Sequence, residues 1–150
     1  MKFSTRRDVD LPADRLFDAA ADFHHIERML VRRGARVQRV DPALGSPMAW
    51  HLAFDWRGRT RELDLAVTRF DRPEALEMRG HSDAFELFLK AGVVALSRSR
   101  SRLNLDVEVK PRSMKARLLL QTARLNKGKI DRVFTDRVAD YVASVTGAGV

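Results

Sequence analysis

The side chains able to do chemistry are few, and their spacing is poor for it. Cysteine is absent, which removes disulfides, thiolate metal sites and thiol catalysis. Four histidines remain, His24, His25, His51 and His81. His24 and His25 are adjacent, so on a helix they splay about 100° apart, a poor geometry for one metal. His51 shares a strand face with Asp55, away from the apolar side, and His81 falls in a turn. None stands in the H-E-x-x-H spacing of a zinc protease. The apolar strand faces carry no clear pair of carboxylates for acid–base work. No catalytic residue, metal or cofactor is therefore expected.

What the chain does concentrate is positive charge. The net charge is +8, and residues 96–137 alone hold 12 Lys and Arg against 4 Asp and Glu, which accounts for the whole excess. Such a bias suits an anionic ligand, an anionic membrane surface or nucleic acid, and equally a plain solvated face. Nucleic acid ranks last, because no recognised binding motif is present and the aromatics lie on apolar strand faces rather than among the arginines. Lys127 falls inside an apolar stripe, between Ala123 and Ile130. A buried ammonium is costly unless paired, so it either meets a ligand carboxylate or phosphate or snorkels outward along its own stem. Arg7 and Arg61 extend apolar strand registers, to polarise a carbonyl or to cap the sheet ends.

The elements that must position these groups follow from periodicity. Lys2 to Asp10 alternates as a strand. Pro12 then opens a helix through Leu16, Phe17 and Ala20, and a second short helix runs from about Phe23 to Arg33, with Gly34 as its C-cap. Six strands follow: Ala35–Asp41, Met48–Trp56, Arg59–Asp71, Glu74–Gly80, one from Phe85 to Leu96 with a bulge expected at Gly92, and a last one through Leu103, Leu105, Val107 and Val109. From Pro111 to Val145 apolar residues recur at three and four, as in one long amphipathic helix, with Ser113 as N-cap and Gly147 and Gly149 beyond its end. Met114, Leu118 and Leu125 project about opposite its main stripe, which implies an additional contact or ordinary scatter. Strands with one apolar and one polar face form an antiparallel sheet covered on one side. The expected fold is therefore α+β, a curved antiparallel sheet of about seven strands wrapped around a long C-terminal helix, with two short helices after the first strand. At 150 residues one domain is expected. No apolar run nears the roughly 18 residues of a membrane span and no signal-peptide h-region opens the chain, so the cytoplasm is the expected setting.

This order of elements resembles the START-like superfamily, also called SRPBCC, which includes birch-pollen allergen-type proteins, lipid-transfer domains and polyketide cyclases. The carriers are Leu11-Pro12-Ala13-Asp14-Arg15-Leu16-Phe17 after the opening strand, Ala21-Asp22-Phe23, Val67-Thr68-Arg69-Phe70-Asp71-Arg72-Pro73, Ala95 to Leu103, and the terminal helix. The resemblance implies a helix-grip fold with a hydrophobic cavity between sheet and long helix. Its walls would be Trp50, Leu52, Phe54, Trp56, Leu63, Leu65, Val67, Leu76, Met78, Leu87 and Leu105, with Leu119, Ala123 and Lys127 from the helix. From the residues alone, these apolar positions are either packed core or pocket walls. Alternate turns of a meander share one end, which in this superfamily is commonly the cavity mouth. That end would carry Arg33, Arg36, Arg57, Arg59, Arg61, Arg112 and Lys115.

A basic mouth over an apolar pocket suits a hydrophobic or amphipathic small molecule with an acidic head, or docking on an anionic membrane. Ten buried methylenes contribute roughly 8 kcal/mol before association costs. The expected function is binding or transport of such a molecule or lipid. The alternative, a polyketide cyclase or aromatase-like enzyme, rests on the resemblance alone.

Overall fold

The computed structural model describes residues 1–42 and 44–147; Gly149 lies outside them. The elements are β1 (Lys2–Val9), α1 (Ala13–Ala20), α2 (Phe23–Arg32), β2 (Arg36–Val40), β3 (Ala49–Trp56), β4 (Arg59–Asp71), β5 (Ala75–His81), β6 (Phe85–Ala95), β7 (Ser101–Pro111), α3 (Met114–Arg124) and α4 (Lys127–Thr146). The seven strands form one antiparallel sheet in the order β1-β7-β6-β5-β4-β3-β2. The period-two pattern sets its two faces. Phe3, Trp50, Leu65, Leu76, Leu89 and Leu105 share the concave face, while Ser4, His51, Asp64, Glu77 and Asp106 share the outer one.

The core sits where α1, α2 and α4 gather on the concave face. Leu16 and Phe17 of α1 are buried against Val67, Leu76, Val93 and Leu103 of the sheet and Val138 and Val142 of α4. Phe23 of α2 stacks edge-on to Trp50, with ring centroids 5.3 Å apart. Asp22 caps α2 by accepting the His25 amide at 3.1 Å, and the Tyr141 hydroxyl donates to the Ala20 carbonyl at 2.7 Å, which ties α4 to the end of α1. Burial pushes the Tyr141 phenol well above its ordinary range, so it stays neutral and holds that bond.

Two expectations are corrected. The bulge is in β4 rather than at Gly92: the β4–β5 register shifts between Val67 and Arg69, and β6 pairs without interruption through Gly92. The extra residue changes the phase of β4, so that Phe70 joins Leu63, Leu65 and Val67 on the concave side. There it packs against Phe17 and Phe23. The continuous helix from Pro111 is in fact two. The Leu125 and Asn126 amides bond to the Thr122 and Ala123 carbonyls, a tightened last turn, and α4 restarts at Asn126. Three local features favour the break: Asn126 and Gly128 are poor helix formers, and the Thr122 hydroxyl donates to the Leu118 carbonyl. Ser113 does cap α3, accepting the Ala116 amide at 3.1 Å. α3 meets the sheet mainly at β7, and α4 meets β1 and α1.

Candidate ligand-binding cleft

The concave face divides into a covered part and an uncovered one. Trp50, Leu52, Val67, Leu76 and Met78, expected as cavity walls, are all buried members of the core. The space between α2 and the sheet, lined by Phe23, Ile26, Leu30 and Trp50 among others, is about 20 Å³, room for about one water. This part of the face is therefore packed and holds no chamber.

Beyond it the face opens. The last rung between β4 and β5 is Asp64 with His81, and β4 continues past it with β3 alone as a two-stranded arm. On the concave side of that arm stand Phe54, Trp56, Arg59 and Arg61, in register as Phe54 with Arg61 and Trp56 with Arg59. Phe54 is 38% exposed and Trp56 51%. At the root of the arm and across the adjoining strands, Leu63, Leu65, Leu87 and Leu105 are half-buried. From α3, Leu119 is 46% exposed and Ala123 half-buried.

Three cations, Arg57, Arg59 and Arg61, stand on the arm. Arg57 and Gly58 make the tip of the arm with φ of 53° and 74°, the two left-handed residues of a type I′ hairpin. The Arg57 guanidinium lies 4.5 Å from the centre of the Trp56 ring and that of Arg61 lies 5.5 Å from it. The Arg61 Nε is shielded from solvent and has no hydrogen-bond partner. Among the described residues, no carboxylate pairs with Arg57, Arg59 or Arg61. The remaining mouth cations differ. Arg33 caps α2 and is exposed, and so is Lys115 on α3. Arg36 pairs with Asp55 on the outer face at 3.5 Å, and Arg112 donates to the Ser82 carbonyl, bracing the β5–β6 turn. Lys127 is already paired, with its ammonium 2.8 Å from Asp131 and 4.9 Å from the Phe3 ring centre.

Two polar clusters escaped the sequence reading. Glu27 on α2 accepts from Nε and Nη2 of Arg39 (2.8 and 2.6 Å) and from the Trp50 indole N–H (3.2 Å). The hydrogen bonds from Arg39 hold its carboxyl below the usual range against the opposing effect of burial. A signal existed: Arg39 sits two residues from Val37, in the concave phase of β2, where a charge demands a partner. On the outer face His51 meets Asp64 at 2.8 Å and Glu62 at 3.3 Å, and His81 meets Asp64 at 3.5 Å. These carboxylates raise the His51 pKa, Asp64 first and Glu62 second. A depression of about 610 Å³ also lies on the outer face, around Phe88, where Lys2, Glu77, Arg79, Lys90, Asp106 and Glu108 alternate in sign. It is open to solvent, and several of its charges are paired with one another or with neighbours.

Comparison with solved structures places this architecture. The chain is similar to TTHA0849 from Thermus thermophilus, with a TM-score of 0.71 and 11% identity over the whole of both chains. It is similar to the ZhuI aromatase/cyclase of Streptomyces sp. R1128, with a TM-score of 0.67 and 14% identity over 97% of this chain and 93% of that one. A START superfamily protein from Mycobacterium smegmatis matches at a TM-score of 0.53 and 15% identity, over 87% of this chain and 94% of that one. The fold is the START-like, or SRPBCC, helix grip. At such identities the likeness is one of fold. No family model and no curated protein matches the sequence.

Proposed function

We propose that the chain binds a hydrophobic or amphipathic small molecule with an acidic head, its apolar body on the uncovered part of the concave face and its head among Arg57, Arg59 and Arg61. The observation that carries this reading is Arg61. It is a guanidinium in the apolar register of the arm, with a shielded Nε that nothing among the described residues satisfies, beside an exposed tryptophan. Leaving such a donor unmade costs about 1–3 kcal/mol, which a carboxylate or phosphate oxygen would recover. Trp56 and Phe54 add apolar area beside it, and the half-buried leucines at the root of the arm continue that surface inward.

Carriage or sensing suits this face better than catalysis. Its strand positions carry no histidine or carboxylate, and a guanidinium stays charged throughout the working range and moves no proton. The cyclase alternative keeps only the likeness of fold to ZhuI. The cytoplasm is the setting this reading assumes.

Titration with a fluorescent fatty acid, alongside native mass spectrometry of the purified protein, tests it. Saturable binding that Arg61→Ala weakens about tenfold, and that a fatty alcohol of equal length does not reproduce, supports the reading. No binding, or binding indifferent to Arg61 and Trp56, overturns it.

A further inference from the structure

We propose that α3 is a membrane-docking helix. Its outward stripe of Met114, Leu118 and Leu125 enters the boundary between headgroups and acyl chains of an anionic bilayer, while Lys115, Arg117 and Arg124 meet lipid phosphates beside it. This extends the binding reading by naming the surface from which the guest is drawn, and rests on that reading for that point alone.

The stripe is the first argument. Met114, Leu118 and Leu125 are 69%, 56% and 84% exposed. At 100° per residue they fall within about 40° of one another, opposite Ala116, Leu120 and Ala123 on the side toward the sheet. Ala116 is 1% exposed, so the sheet side of α3 is already satisfied. Isolated exposed leucines are ordinary, but three large apolar side chains in one line along a helix mark a contact.

Charge then chooses the occupant. From Val109 to Ile130 there are seven Lys and Arg (Lys110, Arg112, Lys115, Arg117, Arg124, Lys127 and Lys129) and no acidic residue. On α3 the cations flank the stripe, Lys115 about 80° to one side and Arg117 and Arg124 about 90° to the other. None of the three pairs with a carboxylate among the described residues. A second copy of the chain would bring these flanks together and repel. A plane of anionic headgroups satisfies both flanks at once and takes the apolar line between them, as in interfacial helices.

The placement of α3 links docking to the cleft. α3 meets the sheet mainly at β7, whose Leu105 and Val109 stand in the concave register. Leu119 is 46% exposed on the flank of α3 that carries Lys115, about 120° from the stripe. α3 also ends at the Leu125–Asn126 break, so it is a helix separate from α4, which packs on β1 and α1.

The test is co-sedimentation with vesicles of phosphatidylcholine alone and of equimolar phosphatidylcholine and phosphatidylglycerol. Wild-type protein is expected on the mixed vesicles and in the supernatant of the neutral ones. Leu118→Gln with Leu125→Gln should weaken binding about tenfold. Lys115→Gln, Arg117→Gln and Arg124→Gln together should weaken it by roughly a hundredfold, at about fivefold per charge. In Leu118→Trp, brominated lipid should quench an added emission component. All five positions are exposed, so unchanged thermal melting is the check on folding. No binding to mixed vesicles, equal binding to both kinds, or a leucine variant that binds like wild type overturns the proposal. So does a dimer in sedimentation velocity that the leucine variants abolish. Fatty-acid titration without vesicles separates the two readings, since it should respond to Arg61→Ala and ignore the leucine variants.

Discussion

Trp50 and Trp56 stand on one strand, on one face, six residues apart, and meet opposite fates. Trp50 is 3% exposed, under Phe23 of α2 and hydrogen-bonded to Glu27; Trp56 is 51% exposed and within reach of two guanidiniums. Strand alternation aimed both rings the same way. The difference comes from what lies above them: α1, α2 and α4 cover one part of the concave face, and nothing among the described residues covers the arm. A sheet face is thus apolar by pattern but becomes core only where a helix reaches it. Where none does, the apolar side chains remain exposed.

The comparison predicts its own largest contrast. Trp50→Ala should cost about 3–5 kcal/mol in chemical denaturation, the usual range for emptying an aromatic core site. Trp56→Ala, the same change on the same strand, should cost less than about 1 kcal/mol and show instead in fatty-acid binding, weakened about tenfold. Equal losses of stability would mean that the arm is core after all. Glu27→Ala comes next. It strands the buried Trp50 indole N–H and returns the exposed Arg39 guanidinium to solvent, and should cost about 1–3 kcal/mol on the covered side with little effect on binding.

Why the sequence told so much of the fold and so little of this contrast is a matter of range. Alternation in Trp50-His51-Leu52-Ala53-Phe54 is local, and so are the Arg57-Gly58 turn and the Ser113 cap, so strands and hairpins could be read from them, whereas the pairing of β1 with β7 could not. Coverage depends on where α2 lands relative to β3, a contact between residues 23 and 50 that no local pattern encodes. The break at Leu125–Asn126 was masked because apolar spacing continues across it; only Asn126 and Gly128 hinted at it. Arg39 in a concave register was legible as a charge in need of a partner, but Glu27 as that partner was not.

Arg57 offers a smaller and more pointed change. It occupies the left-handed region at φ 53°, where a side chain costs roughly 1–2 kcal/mol and glycine almost nothing. Arg57→Gly should therefore raise stability by about 1 kcal/mol while weakening fatty-acid binding several-fold, a trade that marks the arm tip as serving a ligand rather than the fold. A variant that loses stability instead would show that the guanidinium over Trp56 is structural.

The smallest effect is in pH, and it has opposite signs at the two regions. Around the covered side, Arg102 holds the Asp8 carboxyl low, Arg72 that of Asp18 and Arg39 that of Glu27, in each case chiefly through hydrogen bonds. Depressed carboxylates contribute stability that is present above their ordinary values near 4 and lost as pH falls through the folded ones. At the root of the arm, hydrogen bonds to Asp64 and then to Glu62 raise the His51 pKa. A raised histidine contributes stability that is full below about 6.5 and lost as pH rises through its folded value. Acid should therefore loosen the covered side first, and mild alkali the arm. Histidine ring NMR should find His51 titrating above an ordinary histidine, and Asp64→Asn should bring it down. Amide exchange corrected for intrinsic pH dependence should then show protection across β3–β4 rungs such as His51 with Asp64 falling above that pKa while the rungs around Val67 hold. If both regions loosen together, the arm and the covered face are one cooperative unit, and the open state of Trp56 reflects no separate freedom of the arm.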